Sequence, residues 1–346
     1  MSPQPARFAE QAGLGLFLVI AAIVLLFAIA AGTGIGEMSI PLQSTFAAVT
    51  NRLGWTSFEL PPIQESVIWD YRLSRALVAA CCGAGLAMSG AVLQALLRNA
   101  LAEPYVLGIS AGASTGAVGI IILGIGAGTL TLSAGAFVGA FAAFAFVALL
   151  SNGARGGPSK TILAGVAASQ LFNALTSYVV TTSGNAQQAR DVMFWLLGSF
   201  GGVRWPEFYL VLSVVLVGLV ICLYFSRALD AFAFGDDAAA SLGIPVGTVR
   251  IVLFAITALI TATIVSMVGS IGFVGLVVPH AARFIVGPNH ARLLPTCVVT
   301  GGIFMVLADI VSRVILPQQI LPIGVVTALV GVPAFSIILY RSRSAV

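Results

Sequence analysis

The chain has 346 residues, of which 59% are hydrophobic and 8% are charged, and its formal net charge is +4. Soluble domains carry about 25% charged residues, so this composition excludes a soluble enzyme, a secreted disulfide scaffold, a disordered chain and a fibrous repeat. The 38 glycines are typical of closely packed transmembrane helices. The four cysteines form no CxxC pair and are interpreted as small packing residues.

Apolar runs predict about ten transmembrane helices, since one crossing takes about 20 apolar residues. The first run is interpreted as a retained span, although residues 28–30 resemble a signal-peptide cleavage site. The eighth run is short and contains Pro279, so we expect a broken or kinked span. The runs lie at about 13–33, 73–96, 105–126, 130–150, 161–182, 207–226, 248–270, 272–287, 295–316 and 321–340.

The distribution of basic residues predicts the orientation of the chain. Ten spans place both termini on the same side, and a cytoplasmic N-terminus puts ten of the 16 basic residues inside. We therefore expect both termini to be cytoplasmic. The inner residues are Arg7, Arg98, Arg155, Lys160, Arg227, Arg250, Arg283, Arg292, Arg341 and Arg343, and the outer ones are Arg52, Arg72, Arg75, Arg190, Arg204 and Arg313.

The long outer connection after the first span contains a helical pattern. Leu42, Phe46, Val49 and Leu53 follow Pro41 at spacings of three and four residues. Proline is favoured at a helix start. The pattern predicts a short amphipathic helix at the outer membrane interface.

A second long connection, residues 228–245, faces the cytoplasm in this orientation. Gly235 is expected to end one short helix, Asp236 or Asp237 to cap the next, and Gly243 to end it. We call this segment the coupling knob. Two short helices joined by glycine make a compact surface suited to a soluble partner.

The chain offers no energy source or catalytic motif of its own. Its only lysine, Lys160, lacks the preceding glycine of a Walker A sequence, and no HExxH occurs. His280 and His290 are interpreted as capping or loop residues rather than a metal pair. The clearest intramembrane acid is Asp309, and Arg313 at i+4 provides a local ion pair, which disfavours a proton relay. Energy for pumping would have to come from a partner.

Two further patterns leave alternatives open. Gly108, Gly112 and Gly116 form GxxxGxxxG in the third span, which indicates tight helix packing, a dimer seam or a pathway lining. Arg72 and Arg75 open the second span at the outer face, where arginines are usually interfacial anchors. With Arg313 they could also form a cationic patch that binds carboxylates of a docking protein.

Several long stretches together resemble the permease subunits of the iron-chelate and cobalamin family of ABC importers. The resemblance runs from about the second span to the C-terminus. It implies an all-α polytopic membrane protein of the type II importer fold, with residues 1–346 as one permease domain. The matching stretches are residues 85–94, 98–104, 107–113, 195–199, 272–283, 308–313 and 321–333.

The resemblance also implies roles for particular residues. It assigns Arg72, Arg75 and Arg313 to docking of a periplasmic binding protein, and Asn99 and Leu101 to a cytoplasmic gate. The coupling knob, about residues 228–245, would sit in a cleft of the ATPase subunit. Its coupling residues are Asp236, Asp237, Leu242 and Gly243. Two positions depart from the family pattern, because Ser74 and Ala100 stand where proline is usual.

The implied mechanism is alternating access driven by ATP in a separate subunit. The chain itself would hold no cofactor, since ATP and Mg would bind the partner ATPase. The expected partners are ATPase subunits, a periplasmic binding protein, a second permease copy and the lipid bilayer of a bacterial inner membrane, with no nucleic acid. A ferric siderophore is the first expected cargo, with haem and cobalamin as alternatives. An ion-coupled secondary transporter is the competing class, which needs embedded acids and inverted repeats.

Overall fold

The computed structural model describes residues 4–36, 40–124, 131–151, 157–183, 185–316 and 319–343. Over these residues the secondary structure is helical, with no strand. Arg155, one of the inner basic residues, lies outside the described residues.

The helices are numbered in chain order. A π-helical segment (Val67–Leu73) leads into α4, and a 3-10 turn (Pro104–Leu107) leads into α5. The α-helices are α1 (Gln4–Gly34), α2 (Leu42–Arg52), α3 (Pro62–Ser66), α4 (Ser74–Leu96), α5 (Ile109–Ile121), α6 (Leu132–Leu150), α7 (Gly157–Ser183), α8 (Ala186–Leu196), α9 (Trp205–Tyr224), α10 (Ser226–Phe232), α11 (Asp236–Ser241), α12 (Val246–Val268), α13 (Val274–Val286), α14 (His290–Val314) and α15 (Ile323–Arg343).

The described helices agree with the predicted spans. Seven helical stretches are long and apolar enough to cross a membrane, and three shorter apolar helices, in α5, α13 and α15, match the remaining runs. The expected short eighth span is α13, which has 13 residues and contains Pro279. Helix α8 was not predicted; Asn185 and Gln188 form a capping box at its start.

Helix α4 is the centre of the bundle. The most apolar stretch of the Pro62–Leu96 span is 89% buried, against 11% for that of α1. Glycine lets α4 approach its neighbours, because a Cβ on Gly90 would lie 1.9 Å from the carbonyl oxygen of Gly275 in α13. On Gly83 it would lie 2.1 Å from that of Gly301 in α14. The outer helices, α1 above all, present their apolar side chains to lipid.

The glycine series of the third span packs within the chain. A Cβ on Gly112 would lie 2.3 Å from the oxygen of Gly139 in α6, and one on Gly116 would lie 2.1 Å from that of Gly135. Gly108 precedes α5 with a φ of +70°, a conformation that favours glycine. The faces of Gly112 and Gly116 are thus covered by α6.

The expected amphipathic helix is α2. It buries small residues such as Ala47 and Ala48 against the bundle, while Leu42 and Phe46 stay exposed. This unpartnered apolar face is what a helix at a membrane interface needs. Its position at the outer interface stays a prediction.

The coupling knob consists of α10 and α11, separated at Gly235 as expected. Gly235 has a φ of +104° and Gly243 one of +80°, so glycine marks both helix ends. The expected aspartate cap is wrong, because the start of α11 has no side-chain cap. The Oδ1 of Asp236 instead lies 2.7 Å from the Nη2 of Arg250, and this ion pair connects α11 to α12.

Candidate docking cleft, gate loop and coupling knob

A cleft of about 230 Å³ lies at the end of the bundle where α4 begins. Arg72 and Arg75 reach it from the π-helical segment and the first turn of α4, Arg313 from the end of α14, and Arg204 from the start of α9. The extra residue per turn of a π-helix changes the direction of the side chains that follow it. The three arginines predicted to cluster all line this cleft, and Arg204 is a fourth.

Asp309 lies beneath this cleft and is completely buried. Its Oδ1 is 2.9 Å from the Nε of Arg75, and its Oδ2 is 3.1 Å from the Nε of Arg313. The ion pair with Arg313 is the predicted i, i+4 pair. The pair with Arg75, from another helix, was not predicted, and it makes Asp309 a structural counter-ion.

Arg72 and Arg313 also bind the C-terminal end of α1. Arg72 donates from Nη1 to the carbonyl of Gly34 at 3.0 Å. Arg313 donates to the carbonyls of Ile35 and Gly32 at 2.6 and 2.9 Å. Cations at a helix C-terminus satisfy its last carbonyls and its dipole. These two side chains are buried, so only a small part of each lines the cleft.

Arg204 is the one of the four cleft arginines that the sequence analysis did not assign to docking. Its guanidinium lies 3.7 Å from the ring centroid of Tyr71, and its backbone N–H donates to Glu207 at 2.8 Å. The ring centroids of Trp205 and Trp69 lie 4.8 Å apart, with the two ring planes tilted by 34°. The sequence signal here is Pro206 at the start of an apolar run, which marks the beginning of a helix and does not point to Arg204 as a binding residue.

The gate loop, residues 97–103, follows α4. Asn99 shapes it, since its Oδ1 accepts the N–H of Leu101 at 2.9 Å and its carbonyl accepts the N–H of Ala102 at 3.0 Å. Leu101 is exposed, whereas Ala102 is buried. The loop thus exposes the apolar side chain of Leu101, while Ala102 is packed into the bundle.

The last residue of the gate loop, Glu103, enters the bundle with Tyr105. Phe273 donates its N–H to Glu103 at 3.4 Å. The Tyr105 hydroxyl accepts the N–H of Ile271 and donates to its carbonyl, both at 2.7 Å. Sequence reasoning identified Asp309 as the embedded acid and missed Glu103.

A larger cleft of about 700 Å³ separates the gate loop from the coupling knob. Arg98, Asn99 and Arg283 line one part of it, and Asp230 of α10 and His290 of α14 line another. At the tip of the knob Phe234 and Leu242 are 83% and 74% exposed. Gate and knob therefore share one end of the bundle, opposite the arginine cleft.

The two histidines of the chain contact nearby backbone and side-chain groups. In the parts of the chain that are described, no group of three His, Cys, Asp or Glu side chains could hold a metal ion. His280 contacts the carbonyl of Leu276 through Nδ1 at 2.7 Å, and His290 contacts Asp230 at 2.6 Å. Both histidines thus hold local structure.

Comparison with known proteins gives one consistent family. The model of the FecCD transport family matches residues 22–341. The chain is 39% identical over 287 residues to the cobalamin import system permease protein BtuC of Halobacterium salinarum, covering 83% of this chain and 76% of that protein. It is 39% identical over 289 residues to the vitamin B12 import system permease protein BtuC of Escherichia coli O9:H4, covering 82% and 86%.

A solved structure agrees with this assignment. It is of a transporter assigned to the metal-chelate type of ABC transporters, in an inward-facing conformation, and matches with a TM-score of 0.82 and 31% identity. The match covers 94% of this chain and 99% of that one. The chain belongs to the FecCD transport family, the membrane-spanning permeases of metal-chelate and cobalamin ABC importers.

Proposed function

We propose that the chain is the permease subunit that moves cobalamin from a binding protein across the membrane by alternating access. One observation carries the mechanism: the arginine cleft and the coupling knob stand at opposite ends of a single span. Helix α9 begins beside Arg204 in the cleft and ends at Tyr224, two residues before α10. Such a chain can join a binding protein on one side to an ATPase on the other.

The names of the similar permeases allow the three candidate cargoes to be ranked. The similar permeases named for cobalamin or vitamin B12 favour this cargo over the ferric siderophore and haem expected from the sequence. All three are large chelates, and the glycine-rich, weakly charged spans suit a wide path that binds cargo weakly. Cobalamin is therefore first, and the siderophore and haem are alternatives for the transport assay.

The residue roles follow from the position of each group. Arg72, Arg75 and Arg313 would meet acidic side chains of the binding protein, and Arg204 extends their surface. The coupling knob would enter a cleft of the ATPase through its exposed Leu242, next to Gly243, with Asp236 and Asp237 at the start of α11. Asn99 and Leu101 would close the path on the same side. A second permease copy would complete the path.

The arrangement also supports cytoplasmic termini. Arg98, Arg227, Arg250, Arg283 and Arg292 lie at the knob end, as the positive-inside rule requires of a cytoplasmic face. The knob would then face the ATPase, and the arginine cleft the binding protein.

Docking is tested by measuring the affinity of the co-encoded binding protein for the permease in lipid nanodiscs. We expect Arg75→Gln and Arg204→Gln each to weaken binding by about tenfold, as for loss of one interfacial charge pair. Glutamine is preferred at residue 75 because glutamate there would bring a second carboxylate to the buried Asp309. Arg52→Gln is the control, since Arg52 pairs with Glu65 outside the cleft. Unchanged affinity in both cleft variants would refute the docking role.

A further inference from the structure

We propose that α13 transmits movement of the coupling knob to the gate loop, with Glu103, Tyr105 and Asp230 as its positioning residues. The inference rests on the proposed function, because it takes the knob as the part that the ATPase moves and Asn99 and Leu101 as the gate. Two groups of hydrogen bonds, one near each end of α13, support this inference, and we call each group a clasp.

The first clasp joins the gate loop to the segment before α13. Helix α12 ends at Val268 and α13 begins at Val274, so the backbone between them lacks helical hydrogen bonds. The Tyr105 hydroxyl satisfies both the N–H and the carbonyl of Ile271, and Glu103 accepts the N–H of Phe273. Backbone groups left unsatisfied inside a membrane bundle cost several kcal/mol each, so these contacts hold the loop and the segment together.

The backbone around the first clasp is closely packed on both sides. Phe273 adopts a φ of +69°, which is rare for a residue with a Cβ. A Cβ on Gly331 of α15 would come within 2.5 Å of the Cβ of Phe273. On the other side a Cβ on Gly275 would come within 2.6 Å of the Pro104 ring. A displacement of α13 must therefore displace Pro104 and the gate loop before it.

The second clasp joins the coupling knob to the turn after α13. Asp230 of α10 accepts three hydrogen bonds: from the backbone N–H of His290 at 2.9 Å, from its Nδ1 at 2.6 Å, and from the Asn289 side chain at 3.1 Å. Asn289 lies between α13, which ends at Val286, and α14, which begins at His290. Because the Asp230 carboxylate accepts three hydrogen bonds from two consecutive residues, it holds those residues to α10.

The two clasps stand about 20 Å apart along α13, given 13 residues at about 1.5 Å each. A third contact supports the helix between them, since Arg283 donates to Gln94 of α4, which in turn donates to the carbonyl of Gly275. The path from knob to gate is thus continuous in packed and hydrogen-bonded groups. Such a path is tested by variants that alter coupling while Asn99 and Leu101 of the gate and the exposed Leu242 of the knob are left unchanged.

The test measures cargo uptake per ATP hydrolysed by the complete complex in proteoliposomes. Tyr105→Phe, Glu103→Met and Asp230→Ala should each lower this ratio by about fivefold or more, while ATP hydrolysis persists. Glu103→Gln should restore the ratio, because its amide oxygen still accepts the N–H of Phe273. Glu59→Gln is the matched control, since Glu59 is exposed on the outer loop.

A double variant separates one path from two independent effects. Glu103→Met with Asp230→Ala should lower the ratio no further than the more severe single variant, because either change interrupts the same path. Losses that multiply would overturn the inference. If Glu103→Met fails to assemble, Tyr105→Phe, which removes one hydroxyl, decides the result.

The remaining outcomes distinguish this inference from the proposed function. Unchanged ratios in the single variants, with normal uptake by the wild type, would overturn the role of α13 alone. Loss of assembly in both Glu103→Met and Glu103→Gln would assign Glu103 to folding and overturn its positioning role. A wild-type complex without ATP-dependent uptake would refute the proposed function instead.

Discussion

Asp309 organises the arginine cleft at the level of single residues. It is the buried carboxylate between Arg75 and Arg313, so two of the cleft cations are held by an anion that solvent cannot reach. A buried ion pair is not by itself strong evidence for stability, but removing one partner leaves charge without compensation. The consequence is that Asp309 should matter for folding even though it would never touch a binding protein.

Asp309→Asn tests this role. The variant leaves the guanidinium groups of Arg75 and Arg313 facing each other, and we expect the free energy of unfolding to fall by about 3 kcal/mol. The measurement is the midpoint of thermal unfolding of the purified permease in detergent. Glu59→Gln, an exposed acid, should stay within about 0.5 kcal/mol of the wild type. An Asp309→Asn permease that unfolds at the wild-type temperature would contradict the assignment.

Local contacts of this cluster could be predicted from the sequence, and distant ones could not. Arg313 follows Asp309 by one helical turn, so their pair is a property of one helix. Arg75 lies 234 positions before Asp309 in the chain, and no local sequence pattern indicates that contact. Glu103 was missed for a similar reason: in chain order it lies in a connection between spans, and only the tertiary structure shows that the connection turns back into the bundle.

At the scale of elements, glycine fixes how closely α4 meets α13 and α14. The backbone of Gly90 lies against Gly275 so tightly that no side chain fits between them. In a membrane, where lipid is as apolar as leucine, such close packing is a main source of helix association. It also places Gln94 and the start of the gate loop against α13.

Gly90→Ala should therefore separate α4 from α13. We expect a loss of at least about 2 kcal/mol, because overpacking at a backbone contact cannot be relieved by a side-chain rotation. The readout is the yield of monodisperse permease and its unfolding midpoint. Gly247→Ala in α12 is the matched control, since a Cβ there meets nothing within 4 Å. Equal behaviour of the two variants would show that the contact between Gly90 and Gly275 does not limit packing.

The positions of the helices could be predicted from the sequence more accurately than the groups that cap their ends. Hydropathy gave the ten apolar segments, and the glycines of the coupling knob gave the division between α10 and α11. The expected cap at Asp236 or Asp237 failed because α11 begins at Asp236, with Gly235 at the N-cap position, so both aspartates lie inside the helix. Helix α8 was missed because it has 11 residues and a mixed face, which resembles a loop when its packing against α5 is unknown.

At the scale of the whole molecule, the chain joins two surfaces that face opposite sides of a membrane. The arginine cleft is held by Asp309 and the end of α1, and the coupling knob is joined to the start of α14 by the hydrogen bonds between Asp230 and His290. The family assignment explains why both surfaces belong to one chain. In the proposed importer, a binding protein would recognise the cargo and an ATPase would supply the energy.

ATP-dependent uptake in proteoliposomes tests the central claim most directly. The permease would be reconstituted with its co-encoded ATPase and binding protein, and offered labelled cobalamin, ferric siderophores and haem in separate assays. The account predicts cobalamin uptake that is lost without ATP or without the binding protein. Uptake of a siderophore or haem instead would change the cargo and keep the importer. Transport that continues without the ATPase and follows an ion gradient would contradict the account.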